Sequence, residues 1–285
     1  MSETARVSDL VIEATLALRE AGVEQPRREA RLMLQELLGW TATEFIRGED
    51  SEISADHAAS FEGMVRTRAH RTPLAHVTGS VRFFGLDLLS DRRALVPRSD
   101  SEVVVEAALE RLPRGQRSEI VDLGTGSGCL LLAILSKAPL AHGTGVDVSA
   151  DALQLAAENA ERTGLAARAN LLKGHWAGAD LSRADLVVSN PPYIRTEEIE
   201  LLAPEVRDHD PRIALDGGVD GLEAYRQIAP LVRQQAGPGT WLVLEVGYDQ
   251  GEAVSDLLVG LGFRLVETMR DYGGRTRVVT GCQPD

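Results

Sequence analysis

The chain has 285 residues, 44% of them hydrophobic, enough to bury at least one sizeable core and long enough for two domains. Its net charge is −13, and its 28 arginines and 2 lysines are interspersed with 43 carboxylates, which argues against a stand-alone enzyme that grips nucleic acid through a basic face. No apolar run is long enough to span a bilayer, and the first ten residues have neither the basic start nor the apolar centre of a signal peptide, so a globular cytoplasmic protein is expected. Cys129 and Cys282 lack metal or redox spacing and read as two small buried thiols.

The first elements are helical. Val7, Leu10, Val11, Ala14 and Leu18 recur at helical spacing, and Gly22 is a stop signal. A second helix follows Pro26, with Ala30, Leu34, Leu37 and Leu38 on one face. A third runs through Ala58, Phe61, Met64, Val65 and Arg68. Residues 1–72 are therefore expected to form a small all-helical domain. It holds 8 Arg against 13 Asp plus Glu through Ala69, so it too is acidic.

Residues 73–98 change character: Val81, Phe83, Leu86 and Leu88 around Gly85 predict a short hairpin that links the domains. Ser99 and Glu102 stand at capping-box spacing ahead of a helix. From there to residue 285, strand and helix alternate through "EIVDLG", "GCLLLAILSKA", "AHGTGVDV", "SADALQLAAENAERTG", "ANLLKG", "ADLVVSN", a long insertion, "GTWLVLEVG", "QGEAVSDLLVGLG", "FRLVETMRD" and "RTRVVTG". That alternation predicts an α/β doubly wound, Rossmann-like sheet with helices on both faces.

The first strand opens into "VDLGTGSGC". Gly124, Gly126 and Gly128, with Thr125 and Ser127 between them, let the backbone turn sharply and approach a ligand beside a helix N-terminus. A dinucleotide fingerprint needs its third glycine one position later, so this spacing favours S-adenosylmethionine over a pyrophosphate. The second strand ends at Asp147, where a carboxylate can accept both hydroxyls of a ribose; a helix cap is the competing reading.

The fourth strand of this series, "ADLVVSN", runs into "PPY" at the switch point where open sheets bind ligands. Pro191 and Pro192 fix φ and remove two N–H donors, and Asn190 before them is pushed to an extended conformation. What remains is a concentration of acceptors: the Asn190 side-chain oxygen and the carbonyls of Asn190 and Pro191. Such a cluster suits a substrate that presents an NH₂ group. A carboxamide nitrogen is a poor nucleophile because its lone pair is delocalised. Two acceptors holding both N–H bonds turn that pair toward an incoming methyl and stabilise the positive charge that grows on nitrogen. Tyr193 either covers the planar group by stacking or is a half-buried strand-end aromatic.

These motifs together resemble the release-factor glutamine methyltransferases of the HemK/PrmC type. The resemblance runs along nearly the whole chain, through "TPLAHVTGSVRFFGLDL", "ALVPRSDSE", "VDLGTGSGC", "GVDVS", "VSNPPYI", "DPRIALDGGVDGLEAYRQI", "LEVGYDQG" and "RDYGGRTRVV". It implies a seven-stranded class I methyltransferase sheet behind the helical domain. It also implies methyl transfer from S-adenosylmethionine to the side-chain amide nitrogen (N5) of the glutamine in the Gly-Gly-Gln motif of peptide-chain release factors, leaving S-adenosylhomocysteine. The implied cofactor residues are Gly124, Thr125, Gly126, Ser127, Gly128, Asp147 and Asn190, with Trp176 matching the aromatic that flanks the adenine. The implied amide-binding residues are Asn190, Pro191, Pro192 and Tyr193.

Two departures stand out. The family commonly reads Pro-Arg-Pro-Glu/Asp-Thr-Glu where this chain has "PRSDSE", and an aspartate precedes the aromatic where this chain has His175. The tetrapeptide alone is shared with adenine-N6 and guanine-N2 methyltransferases of nucleic acids, so that alternative stays open, as does a non-catalytic cofactor-binding adaptor. The expected partner is a release factor, with no direct nucleic acid, no membrane and a monomeric chain. His57, His70, His76, His142, His175 and His209 show no ligand spacing, and no metal is expected. Trp40 and Trp241 read as core or interface residues, and Glu245 as a strand-end acid that helps order the site.

Overall fold

The computed structural model describes residues 4–113 and 115–284. The chain divides into two compact units, one of residues 1–80 with 203–209, the other of 81–202 with 210–285. The division places the hairpin of residues 81–98 with the sheet rather than between the units, because Phe83 and Leu88 are buried among the residues of its core.

In the helical unit, α1 (Val7–Glu20), α2 (Pro26–Leu38) and α4 (Ala55–Ala69) form where the apolar spacing predicts them. They bury Val7, Leu10, Leu18, Met33, Leu34 and Phe61 in one core. The unit is not purely helical: β1 (Thr4–Arg6) pairs antiparallel with β2 (Glu52–Ser54), and α3 (Ala42–Arg47) and α5 (Leu74–Thr78) complete it. The three-residue strands are too short to show a period of two in the sequence. α3 carries the reciprocal capping box that reading the sequence placed elsewhere, between Thr41 and Glu44. Arg68, on the apolar face of α4, is 4% exposed. Its guanidinium pairs with Glu29 and, at 2.9 Å, with Glu205 of the 203–209 segment; a buried charge persists only when paired in this way.

The second unit begins with the hairpin of β3 (Ser80–Phe83) and β4 (Leu86–Leu89), whose turn puts Phe84 and Gly85 at φ 48° and 81°. The helix α6 (Glu102–Arg111) follows a turn of 3₁₀ helix, Ser99–Ser101, and no side chain caps it. The expected Ser99/Glu102 capping box is absent because Glu102 is spent elsewhere: its Oε1 accepts from the Phe84 amide at 2.7 Å, fixing the hairpin turn.

The sheet then builds from β5 (Glu119–Leu123), β6 (His142–Asp147), β7 (Ala169–Lys173), β8 (Leu186–Ser189), β9 (Trp241–Glu245), β10 (Arg264–Arg270) and β11 (Thr276–Cys282). The order is β10-β11-β9-β8-β5-β6-β7. β5 to β9 are parallel, and β11 is antiparallel to both β9 and β10. Residues alternate between two cores, one on each face: Ile120, Leu186, Val188 and Val243 on the side of α6 and α7 (Cys129–Lys137), and Val121, Val187, Leu242 and Leu244 on the side of α10 (Glu223–Gln235) and α11 (Gly251–Gly260). The helix α8 (Ala150–Arg162) follows β6, and α9 (Pro204–Arg207) lies in the segment that joins the helical unit. Cys129 and Cys282 are free thiols and only half-buried. The functional consequence is topological. The chain leaves β5 toward β6 on one side while β8 pairs on the other, so the carboxyl ends of β5, β6 and β8 flank a switch point.

Candidate active site

The loop after β5 is built around three glycines at positive φ: 75° at Gly124, 54° at Gly126 and 79° at Gly128. An L side chain is strained in that region, and a Cβ on Gly124 would project into open space, so the backbone itself forms that wall. The amides of Gly124 and Thr125 both donate to the Val146 carbonyl, at 2.8 and 3.1 Å, which fastens the loop to β6. Thr125 turns inward, and its hydroxyl donates to Asp122 Oδ2 at 2.6 Å. Burial pushes the Asp122 carboxyl up to about 7, with the Thr125 hydroxyl opposing. From α8, the fully buried Asn159 donates to the Ser127 carbonyl at 3.0 Å, while its Oδ1 accepts from the Leu89 amide at 2.7 Å. One amide thus positions the glycine loop and the hairpin together.

Asp147, at the tip of β6, accepts from Gly126 N through Oδ2 and from Ser149 N through Oδ1, both at 2.9 Å. It serves as the anchor of the glycine loop as well as an acid on the cavity wall. An ionised carboxylate has about four lone-pair sites, so two remain for a ligand. The cavity has a volume of about 340 Å³. Residues 124–127, Asp147, His175 and Trp176 line it. Trp176 Nε1 donates to Gln227 Oε1 at 3.2 Å, which orients the indole. His175 Nδ1 accepts from the Ala177 amide at 3.3 Å and caps the short 3₁₀ turn there. Nδ1 is thus spent on the backbone, which leaves only Nε2 of the ring for a ligand.

The end of β8 reaches the same cavity. Asn190 and Pro192 lie on its wall, Pro191 is buried, and Tyr193 sits half-buried against the core on the side of α10. Among the described residues, nothing bonds to the Asn190 side chain, and nothing donates to the carbonyls of Asn190 and Pro191. A half-buried amide and two carbonyls beside a cavity are acceptors in waiting. Tyr193 is fixed at both ends: its hydroxyl donates to Glu245 Oε1 at 3.3 Å, and its carbonyl accepts from Gln250 Nε2 at 2.9 Å. Burial pushes the Tyr193 phenol up, and it pushes the Glu245 carboxyl up to about 7. Asp216, Glu223, Gln227 and Asn159 were not singled out by sequence reasoning, although the first three line the cavity. The stretch "ALDGGVDGLEAYR" was the only signal near them.

The chain matches two family models: the PrmC N-terminal domain over residues 9–79 and the methyltransferase small domain over residues 101–205. It is 44% identical to the release factor glutamine methyltransferase of Caulobacter vibrioides over 267 residues, covering 93% of this chain and 92% of that one. It is 41% identical to the enzyme of the same name from Agrobacterium fabrum, covering 97% of each. The chain belongs to the release factor glutamine methyltransferase family. Membership makes it a methyltransferase with S-adenosylmethionine as methyl donor, and the cavity fits that donor: a glycine-built loop open at Gly124, a carboxylate with free lone pairs and an oriented indole. Among solved structures, it resembles the hMettl16 catalytic domain in complex with MAT2A 3′UTR hairpin 6, with a TM-score of 0.57 at 13% identity over 83% of this chain and 86% of that one. It also resembles a methyltransferase from Pyrococcus furiosus, with a TM-score of 0.53 at 18% identity over 71% and 91%. At such identities the likeness is one of fold.

Proposed function

We propose that this family member methylates the side-chain amide nitrogen (N5) of the glutamine in the Gly-Gly-Gln motif of peptide-chain release factors. The observation that carries the reading is that nothing described bonds to the Asn190 side chain or to the Asn190 and Pro191 carbonyls, while Asn190 lines the same cavity as residues 124–127, Asp147 and Trp176. Relatives bearing the release-factor name, at 37–44% identity over most of the chain, support the substrate. They also disfavour the nucleic-acid alternative that the tetrapeptide by itself leaves open.

In this reading, residues 124–128, Asp147 and Trp176 hold S-adenosylmethionine, which supplies an electrophilic methyl on a sulfonium. Asn190 Oδ1 and the Pro191 carbonyl accept the two N–H bonds of the substrate amide and turn its lone pair toward the donor. The acceptors also stabilise the positive charge on nitrogen as the new bond forms, and the amide then sheds one proton. No strong base is needed for that loss, because an N-protonated amide is a strong acid. Pro191 and Pro192 keep the acceptors in place without donors of their own.

The enzyme acts in this reading as a cytoplasmic monomer on a protein substrate, without direct contact to nucleic acid. The acidic net charge supports the lack of nucleic-acid contact, and no described helix is long and apolar enough to cross a membrane. The test offers labelled methyl donor with a release factor and with its variant carrying Ala for the Gln of the Gly-Gly-Gln motif. Label on the first alone is expected; label on both, or on neither, contradicts the assignment.

A further inference from the structure

The family motif "LEVGYDQG" has no role in the chemistry above, yet its glutamine makes the densest set of polar contacts behind the amide-binding turn. Gln250 is 4% exposed. Its Nε2 donates to the Tyr193 carbonyl at 2.9 Å and to the Gly221 carbonyl at 3.2 Å. Its Oε1 accepts from the Gly247 amide at 3.0 Å and lies 3.3 Å from the Tyr225 hydroxyl. That hydroxyl has a closer acceptor in the Glu245 carbonyl, at 2.9 Å, so its single proton serves one of the two at a time. The amide orientation is fixed by this surrounding: turned over, the NH₂ would face a backbone N–H and the oxygen would face two carbonyls.

Three loops therefore meet on one side chain: the turn after β8, the 217–222 stretch and the turn after β9. The packing leaves no slack. A Cβ on Gly221 would stand 2.4 Å from both Gln250 Nε2 and the Tyr193 carbonyl oxygen. One on Gly247 would stand 2.8 Å from Gln250 Oε1. The segment just beyond Tyr193 is bonded to the same stretch, Ile194 N to the Leu215 carbonyl at 3.0 Å and Gly217 N to the Ile194 carbonyl at 2.8 Å. Gln250 precedes α11 but does not cap it with its side chain.

We propose that Gln250 is a positioning residue for methyl transfer: its two N–H bonds to the Tyr193 and Gly221 carbonyls set where the Asn190 and Pro191 acceptors sit relative to the methyl donor. This rests on the reading that those acceptors hold the substrate amide. Gln250 touches neither the substrate nor the donor. Its effect belongs to the catalytic step, because a misplacement of about 1 Å costs on the order of 10²-fold in rate.

Two variants separate this from a plain turn-stabilising role. Gln250→Glu keeps the oxygen that accepts from Gly247 but loses both donors; Gln250→Leu loses everything but volume. Both are expected to lower kcat on the order of 10²-fold, with unchanged affinity for S-adenosylmethionine and unchanged KM for the release factor. Hydrogen exchange at the Ile194 and Gly217 amides should quicken in both, while the amides of β8 stay protected. Wild-type kcat in Gln250→Glu overturns the proposal, and so do unaltered exchange rates or a parallel loss of donor affinity and kcat. Should the wild-type enzyme place no methyl on a release factor, the functional reading is what fails; the exchange comparison needs no substrate and still decides the clamp.

Discussion

The Ser189 hydroxyl donates to the Leu123 carbonyl at 2.6 Å, a buried bond that joins the last residue of β8 to the last residue of β5. Asn190 follows the first, and the glycine loop follows the second. A single side chain thus ties the turn after β8 to the glycine loop after β5. Ser189→Ala should cost about 1 kcal/mol of stability, the usual net worth of one hydrogen bond. It should also lower kcat while the cofactor still binds. Thermal melting, titration of the methyl donor and a transfer assay read the three quantities separately.

Asp147 offers a second test, because it holds both the loop and, in this account, the ribose. Asp147→Ala removes the acceptor of Gly126 N and Ser149 N together with the ligand contact. Hydrogen bonds to a charged group are worth about 1.5–3 kcal/mol each, so losing both ribose contacts should lower affinity for S-adenosylmethionine on the order of 10²- to 10⁴-fold. Calorimetry checks this directly; an unchanged affinity would leave Asp147 as a loop anchor only.

Gly217 probes the turn by bulk alone. Its φ is ordinary, but a Cβ would stand 2.7 Å from Tyr193 Cα and 2.9 Å from the Pro192 carbonyl oxygen. Both are backbone, so Gly217→Ala must push the turn after β8 aside. Transfer should drop on the order of 10²-fold with donor affinity intact. Steady-state kinetics with saturating donor distinguish that from a loss of binding.

Glu245 carries a pH signature. Burial raises its carboxyl to about 7, opposed by the Ser101 hydroxyl, Arg277 and Tyr193. Between the unfolded value near 4.5 and the folded value, the native state holds a proton that the unfolded chain has lost. Stability from this group is therefore full below 4.5 and declines as pH rises through about 7. Glu245→Gln removes the titration, so its melting temperature minus that of the wild type should climb between pH 4.5 and 8. A difference that stays flat over that range would place the folded value elsewhere.

Much of this architecture is written in local pattern. The sheet strands and their flanking helices follow from alternation of apolar runs, and the switch point follows from their order. What escaped is what depends on single distant partners. Glu102 stands at capping-box spacing, yet its oxygen goes to Phe84 N in the hairpin. Asn159 and Gln250 are lone polar residues with no period, and their partners lie as far away as Leu89 and Tyr193. Arg68 keeps helical spacing on an apolar face only because Glu29 and Glu205 meet it there. Strands as short as β1 and β2 carry too few residues to show a pattern at all. The glycine loop is legible because glycines are informative one at a time; the polar contacts behind the turn after β8 are not.

The central claim is that Asn190 acts on the substrate amide and not on the fold. Asn190→Ala, assayed for S-adenosylmethionine binding by calorimetry and for methyl transfer to a release factor by mass mapping of the Gly-Gly-Gln peptide, separates the two. In Asn190→Ala the donor is expected to bind as before while methylation of that glutamine disappears. Binding and methylation lost in equal measure, or methylation undiminished, would contradict it.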